Sequence, residues 1–334
     1  MILEKDLYMT GILMKFIHSL SEPEKVYFKG GTSMSKCHKI LERFSEDCDL
    51  FVYTGNSNAT RTQESTLNKK ITHSLVDLFN DDLAKTADGL ELSQRGGDYN
   101  KICLTYERTF PNEDFKPHVE FEISSCPLRN KKGYYLNSQT LPIQPLVGEI
   151  LYKTGRKDIA DDLGLTTDSI QCTTPHKTIC DKISRLIRVS YDENIEKQIQ
   201  KYIRDFYDLT MILKTGNFNV YIESNTFLQE MLRTNIEDSM RNNSHSEELF
   251  GKAPVFAQPE TMLAKKQIRE TYKRTTENFC FNPQKAPTID EVISTMKSLQ
   301  PYLLKFDDYK AKMSQPQNGQ QVKETKPIQQ IKPD

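Results

Sequence analysis

The residues with the clearest chemical potential lie close together near the start of the chain. Lys29-Gly30-Gly31-Thr32-Ser33 is followed, after a helical stretch, by Arg43-Phe44-Ser45-Glu46-Asp47-Cys48-Asp49-Leu50. Paired glycines let the backbone approach a bulky anion and adopt conformations closed to residues with a Cβ. A helix starting there offers unpaired N–H groups and a positive dipole end, a seat suited to a triphosphate, with the Thr32 and Ser33 hydroxyls as further donors. In Asp47-x-Asp49 on an extended backbone the two carboxylates point the same way, because side chains alternate with period two. Like charges side by side invite a divalent cation, and oxygen-only ligands favour Mg²⁺ or Mn²⁺. The chemistry is metal-assisted work on a phosphate chain.

Alone, either half of this constellation says little, since Gly-Gly turns and Asp-x-Asp strand ends are common. The two joined by a single helix are more specific. Competing motifs fail: an EF-hand reading puts Val52 where glycine is needed and Asn58 where glutamate is needed. Neither a P-loop nor a dinucleotide fingerprint is present. Phosphoryl chemistry of this kind commonly uses a third acid from a neighbouring strand. His118-Val119-Glu120-Phe121-Glu122-Ile123 supplies two on one face, and Glu120, lying further inside the strand, is preferred. An edge strand with a solvated acidic face stands as the alternative. Cys172, His176 and Cys180 recur every four residues, but Pro175 starts the helix after Cys172 and no fourth ligand is near; buried thiols beside an ordinary histidine are expected rather than zinc.

The elements that must carry these residues follow from periodicity. An amphipathic helix is predicted over residues 4–19 through Leu7, Leu13, Met14, Phe16 and Ile17, then a strand at Val26-Tyr27-Phe28 ending at the glycines. A helix over 32–43 carries Met34, Cys37, Ile40 and Leu41, and a second strand covers Asp49 to Tyr53. A helix through Leu75, Leu78 and Phe79 and strands at Ile102–Tyr106 and His118–Ile123 complete this half. Beyond it, helical patterns dominate near 174–190, 195–214, 256–278 and 288–305. The expected division is an α/β domain over 1–150, a helical domain over 151–312, and a polar tail over 313–334 too poor in apolar groups to order.

The net charge of −1 excludes a nucleic-acid binder relying on overall positive charge but leaves room for a local basic patch. No apolar run is long enough to span a membrane, and the amino terminus lacks a secretory pattern. Seven scattered cysteines in a chain of 334 residues point to reduced thiols and a cytoplasmic protein.

The glycine-plus-aspartate constellation resembles the opening signature of the AbiEii/AbiGii toxin family. Asp181-Lys182-Ile183-Ser184-Arg185-Leu186-Ile187-Arg188 is similar to that family's Glu-Lys-Leu-x-Ala-Leu-x-x-Arg helix, and Arg204-Asp205-Phe206-Tyr207-Asp208-Leu209 to its Arg-Asp-x-Tyr-Asp-Leu stretch. The likeness runs over roughly residues 10–215, with Asp181 in place of Glu. It implies an α+β protein: a polymerase-beta-like nucleotidyltransferase domain, a small mixed sheet flanked by helices, followed by a helical domain. It also implies transfer of a nucleoside monophosphate from a nucleoside triphosphate to an acceptor, RNA such as transfer RNA, by a toxin linked to phage defence and restrained by a cognate antitoxin.

Within the resemblance, Gly30, Gly31, Thr32 and Ser33 seat the nucleotide and Asp47 and Asp49 hold the metal. Periodicity alone would leave Lys182 on a solvated helix face; the resemblance implies that it steadies the phosphates. Asp205 is expected to orient Lys182 or meet the acceptor, against an alternative in which Asp205 and Asp208 pair with Arg204 or Arg188 and tie two helices together. Lys265, Lys266 and Arg269 form a basic helix face able to grip RNA, or a solvated surface. Two other classes stay open: a non-catalytic module of the same fold that binds RNA or a partner protein, and an enzyme that nucleotidylates protein.

Overall fold

The computed structural model describes residues 2–86, 89, 91–110, 113–125, 136–242 and 248–314. In chain order these form α1 (Ile2–Ser19), β1 (Val26–Lys29), α2 (Gly30–Lys36), β2 (Asp47–Val52), α3 (Arg61–Leu78), β3 (Tyr99–Thr105), β4 (His118–Ser125) and β5 (Ser138–Ile143). Two short helices, α4 (Leu146–Lys153) and α5 (Lys157–Asp162), precede β6 (Asp168–Thr173). The rest is helical: α6 (Pro175–Ser190), α7 (Ile195–Lys201), α8 (Ile203–Lys214), α9 (Asn219–Glu223), α10 (Asn225–Asn242), α11 (Pro254–Ala257), α12 (Pro259–Leu263), α13 (Lys266–Phe279) and α14 (Ile289–Ser314). The fold is α+β, with a mixed sheet flanked by helices and a helical part after it. No helix among the described residues is long and apolar enough to cross a membrane.

The six strands lie in the order β3-β4-β2-β1-β6-β5, with β2 parallel to β4, β1 parallel to β6 and the other pairs antiparallel. Alternation along each strand divides the sheet into two chemically different faces. Phe28, Leu50, Val52, Ile102, Leu104, Val119, Phe121 and Ile123 are buried in one core. Leu13, Phe16, Leu75 and Val76 of α1 and α3 cover that face. The opposite face carries Lys29, Asp47, Asp49, Lys101, Glu120 and Glu122, all in register with one another across β1, β2, β4 and β3. A second core fills the helical part, built on Ile183, Leu186 and Ile187 of α6, Phe206 and Leu209 of α8, Phe227 of α10 and Leu299 and Leu303 of α14.

Three departures from periodicity have local causes. The helix expected over 32–43 stops at Lys36, because Lys39 takes a left-handed conformation (φ 55°) and the Ile40 N–H turns back to the Met34 carbonyl at 2.9 Å. Residues 42–44 then run extended beside 279–281, with Phe44 N–H donating to Phe279 O at 2.8 Å and Phe281 N–H to Glu42 O at 3.0 Å. The 195–214 pattern is two helices, α7 and α8, broken at Tyr202 (φ −104°, ψ 21°).

β5 and β6 were not anticipated. β5 is a polar edge strand containing Pro142, and its alternation carries almost no apolar signal. Because β6 pairs with β1, we propose the end of the sheet domain just after Thr173 rather than at 150. α14 continues to Ser314, two residues into the stretch assigned to the tail, and residues 315–334 lie outside the described residues.

Candidate active site

β1 delivers the chain straight into α2, so the two glycines are the first residues of a helix rather than a loop before it. Gly30 has φ 73°, a region open to glycine at little cost. It is also crowded: a Cβ there would overlap the Asp49 carboxylate, and a Cβ on Gly31 would stand 2.8 Å from Arg43 Nη2 and 3.5 Å from Asp208 Oδ2. The turn is therefore packed directly against Asp49 on one side and a buried ion pair on the other. Thr32 and Ser33 stand behind it. Both are buried, and their hydroxyls donate to backbone, Thr32 to the Asp47 carbonyl and Ser33 to the Gly30 carbonyl at 3.1 Å. They brace the turn and do not line the cleft in front of it.

That cleft, about 770 Å³, runs between the acidic face of the sheet, the length of α6 from Thr178 to Arg188 and the amino-terminal end of α8. It brings together Gly30, Gly31, Asp47, Asp49, Glu120, Lys182 and Asp205. The sheet register explains the acids. Asp47 lies opposite Glu120 and Asp49 opposite Glu122, so four carboxylates occupy one patch on two adjacent strands.

The two pairs differ in their surroundings. Glu120 is buried and accepts from His118 Nε2 at 2.9 Å, from Lys101 at 2.7 Å and from Lys116. Burial alone would raise its carboxyl; these three donors outweigh it and hold Glu120 well below the usual carboxylate range. Asp47 faces Lys116 at 2.8 Å and Arg204 at 3.6 Å. Asp49 and Glu122, in contrast, have no lysine or arginine at ion-pair distance among the described residues. Burial first, with Glu122 and Asp47 adding repulsion against the pull of Lys29 and Arg185, pushes the Asp49 carboxyl up to about 7. A half-buried acid without a counter-ion, with two more carboxylates beside it, is a donor set that fits a hard divalent cation.

On the helical wall, Lys182 is buried rather than solvated, its ammonium 2.5 Å from Asp205 and 2.7 Å from Asp208. Asp208 in turn takes both arms of the Arg43 guanidinium at 2.6 Å. Burial works against it, but Arg43 and Lys182 hold Asp208 well below the usual carboxylate range. Asp205 also meets Arg185 at 2.8 Å. The alternative pairing of these acids with Arg204 or Arg188 is not found among the described residues, where Arg204 turns to Asp47 and Arg188 to Asp238. The carboxylates instead form a chain, Arg43–Asp208–Lys182–Asp205–Arg185, tying the segment behind the glycine turn to α6 and α8.

Several cleft residues had no prior signal. Arg185 carried a signal only as a cation three positions from Lys182, and Tyr202, where α7 gives way to α8, carried none. Lys116, in the segment before β4, belongs to no motif. Cys103, His118 and Glu120 have ligating atoms within 4.8 Å of one another, a grouping able to hold a metal, although Lys101 and Lys116 already occupy Glu120. Cys172 lies in β6 while His176 and Cys180 lie on α6; the six described cysteines are all free and buried. Lys265, Lys266 and Arg269 lie outside the cleft and face Glu196, Glu270 and Asp290.

Compared with known families, residues 13–295 match the model described as nucleotidyl transferase AbiEii toxin, type IV TA system. No curated protein matches the chain.

Proposed function

The chain belongs to the AbiEii nucleotidyl transferase toxin family of type IV toxin–antitoxin systems, and from that premise we propose that it moves a nucleoside monophosphate from a nucleoside triphosphate onto RNA, with transfer RNA as the acceptor class and a cognate antitoxin as its partner. The supporting observation is the contact between the glycine turn and Asp49: the residue best placed to hold a metal stands against the residues best placed to seat phosphates.

In this reading the open N–H groups at the start of α2 receive the triphosphate tail, which Gly30 and Gly31 allow to approach without side-chain obstruction. Asp47 and Asp49 would hold Mg²⁺ or Mn²⁺, and Glu122, opposite Asp49 and with no lysine at ion-pair distance among the described residues, replaces Glu120 as the third acid. When bound, the ion supplies Lewis-acid stabilisation of the charge on the phosphates. Lys182, held by Asp205 and Asp208, offsets charge on the departing pyrophosphate, with Arg185 beside it. The acceptor hydroxyl attacks the α-phosphorus in line, its proton is lost to solvent or a neighbouring carboxylate, and pyrophosphate leaves. Glu120 organises Lys101, Lys116 and His118 at the flank. The acceptor enters over Arg188, Lys201 and Arg204, which line the cleft; Lys265, Lys266 and Arg269 do not line it and would meet RNA only outside it.

The test is transfer of label from each α-³²P nucleotide into total RNA, with Asp49→Asn as the control. Wild type should label a product destroyed by RNase and resistant to protease, and Asp49→Asn should lower the rate by ~10²–10³-fold or more with the fold intact. Label lost to protease instead would make a protein the acceptor. Full activity of Asp49→Asn, or RNA binding without incorporation of any of the four nucleotides, would overturn the enzymatic reading.

A further inference from the structure

We propose that this chain works with a single divalent ion, the Lys116 ammonium permanently filling the cation position between Asp47 and Glu120. The inference rests on the metal-dependent reading above and concerns how many ions the acids take.

Across β2 and β4 the acids form two facing pairs, Asp47 with Glu120 and Asp49 with Glu122. A site for two ions would leave both pairs short of positive charge. Here only one is short. Lys116 Nζ touches Glu120 and stands 2.8 Å from Asp47 Oδ1, bridging the first pair as a bound cation would. Lys101 adds a second ammonium 2.7 Å from Glu120, and Arg204 a guanidinium 3.6 Å from Asp47. Among the described residues the second pair has no ammonium or guanidinium at ion-pair distance; Lys29 and Arg185 act on Asp49 only from further away.

An exposed lysine ordinarily swings freely, and a swinging ammonium would not exclude a metal. The Lys116 backbone, however, is pinned at both ends. Its N–H donates to Glu46 Oε1 at 2.9 Å, and its carbonyl accepts from Lys5 Nζ at 2.9 Å. Lys5 and Glu46 are themselves paired at 2.7 Å and almost wholly buried. Thus α1 and the residue just ahead of β2 fix the base of the Lys116 stem, and the stem points into the first acid pair. Phe115 beside it packs on Phe44 and Phe279 with centroids 6.0 and 4.9 Å apart, which holds the segment from its other side. A divalent ion entering between Asp47 and Glu120 would have to expel an anchored ammonium and then sit beside Lys101, like charge against like.

Mn²⁺ titration of the full chain alone, with bound and free ion distinguished by electron paramagnetic resonance, reads the stoichiometry without reference to activity. Wild type should bind one Mn²⁺ per chain. Lys116→Met should bind two, and Lys116→Arg, which keeps the charge, should return to one. The Lys116 side chain is about a third exposed and its pinning bonds are backbone, so these variants should fold; Lys116→Gln replaces the methionine variant if circular dichroism shows that one to be non-native. Two ions in wild type, or one in both Lys116→Met and Lys116→Gln, overturns the inference while leaving nucleotidyl transfer standing. No bound Mn²⁺ in any form overturns both.

Discussion

Asp49, proposed above as a metal ligand, is the residue at which that role would work against stability. Its carboxyl is pushed up to about 7, first by burial and then by Glu122 and Asp47, from an ordinary value of 3.8. Between those two pH values the folded chain holds a proton that the unfolded chain has released, so stability falls as pH rises through that window, and the deficit is complete above about 7. Asn has the same shape and no charge. Asp49→Asn should therefore be more stable than wild type at pH 8, by up to about 4 kcal/mol before solvent screening reduces it, while matching it below pH 4; thermal melts at the two pH values check this. Equal melting points at pH 8 would mean that solvent already neutralises the carboxylate. The same shift gives metal uptake a slope: Mn²⁺ affinity should rise with pH up to about 7 and then level, with a proton released on binding, as pH-dependent calorimetry would register. The acids and glycines were legible in the sequence because period two and a Gly-Gly turn are local patterns. What separates Glu122 from Glu120 was not, because the lysines that claim Glu120 come from β3 and from the segment before β4, and only strand pairing brings them there.

Among the elements, α2 carries the tightest geometric demand. A Cβ on Gly31 would meet the Arg43 guanidinium, which cannot retreat without loosening its two bonds to Asp208. Gly31→Ala should cost roughly 1–3 kcal/mol in denaturant unfolding, and because Asp208 also holds Lys182, it should raise KM for the nucleotide more than it lowers kcat. Gly30→Ala should be worse, since it adds a left-handed backbone for a residue with a Cβ to overlap with Asp49. An unchanged denaturation midpoint in Gly31→Ala would show that the Arg43–Asp208 pair is not rigid. The long helices α1, α6 and α14 could be read from their apolar stripes, and α3 is better defined still: Thr60 and Gln63 exchange backbone and side-chain bonds at its start. α1 also buries Lys5 and Asp6 on the stripe that packs into the core. Hydropathy would place those residues in water. Their partners, Glu46 and Lys36, are far along the chain, and a long-range pair leaves no periodic trace. The end of α2 was invisible for a related reason: Lys39 adopts a conformation in which glycine or asparagine is the usual marker.

Among the described residues two large hydrophobic cores stand out, one under the sheet and one among the helices, and the cleft lies where they meet. Polar and aromatic ties cross that junction beside the packing of Met34 and Leu41 into the helical core: Arg43 to Asp208, the backbone bonds of residues 42–44 with 279–281, and the Phe44–Phe115–Phe279 contacts. Arg43 is the central tie, being buried and bidentate. Arg43→Ala would leave Asp208 with Lys182 alone, and breaking a buried pair from one side costs about 3–5 kcal/mol. That cost falls on the junction, since Arg43 belongs to neither apolar core. Wild type should thus unfold in one calorimetric transition, each core supporting the other, whereas Arg43→Ala should resolve into two, the sheet and the helices melting separately. The same variant should lose transfer activity before either transition, as Lys182 and the glycine turn drift apart. Differential scanning calorimetry decides between this and the simpler outcome: a single peak moved to lower temperature with its shape unchanged would mean that the two cores are one cooperative unit without Arg43, and that the junction is held chiefly by the strand-like pairing and the phenylalanine stack.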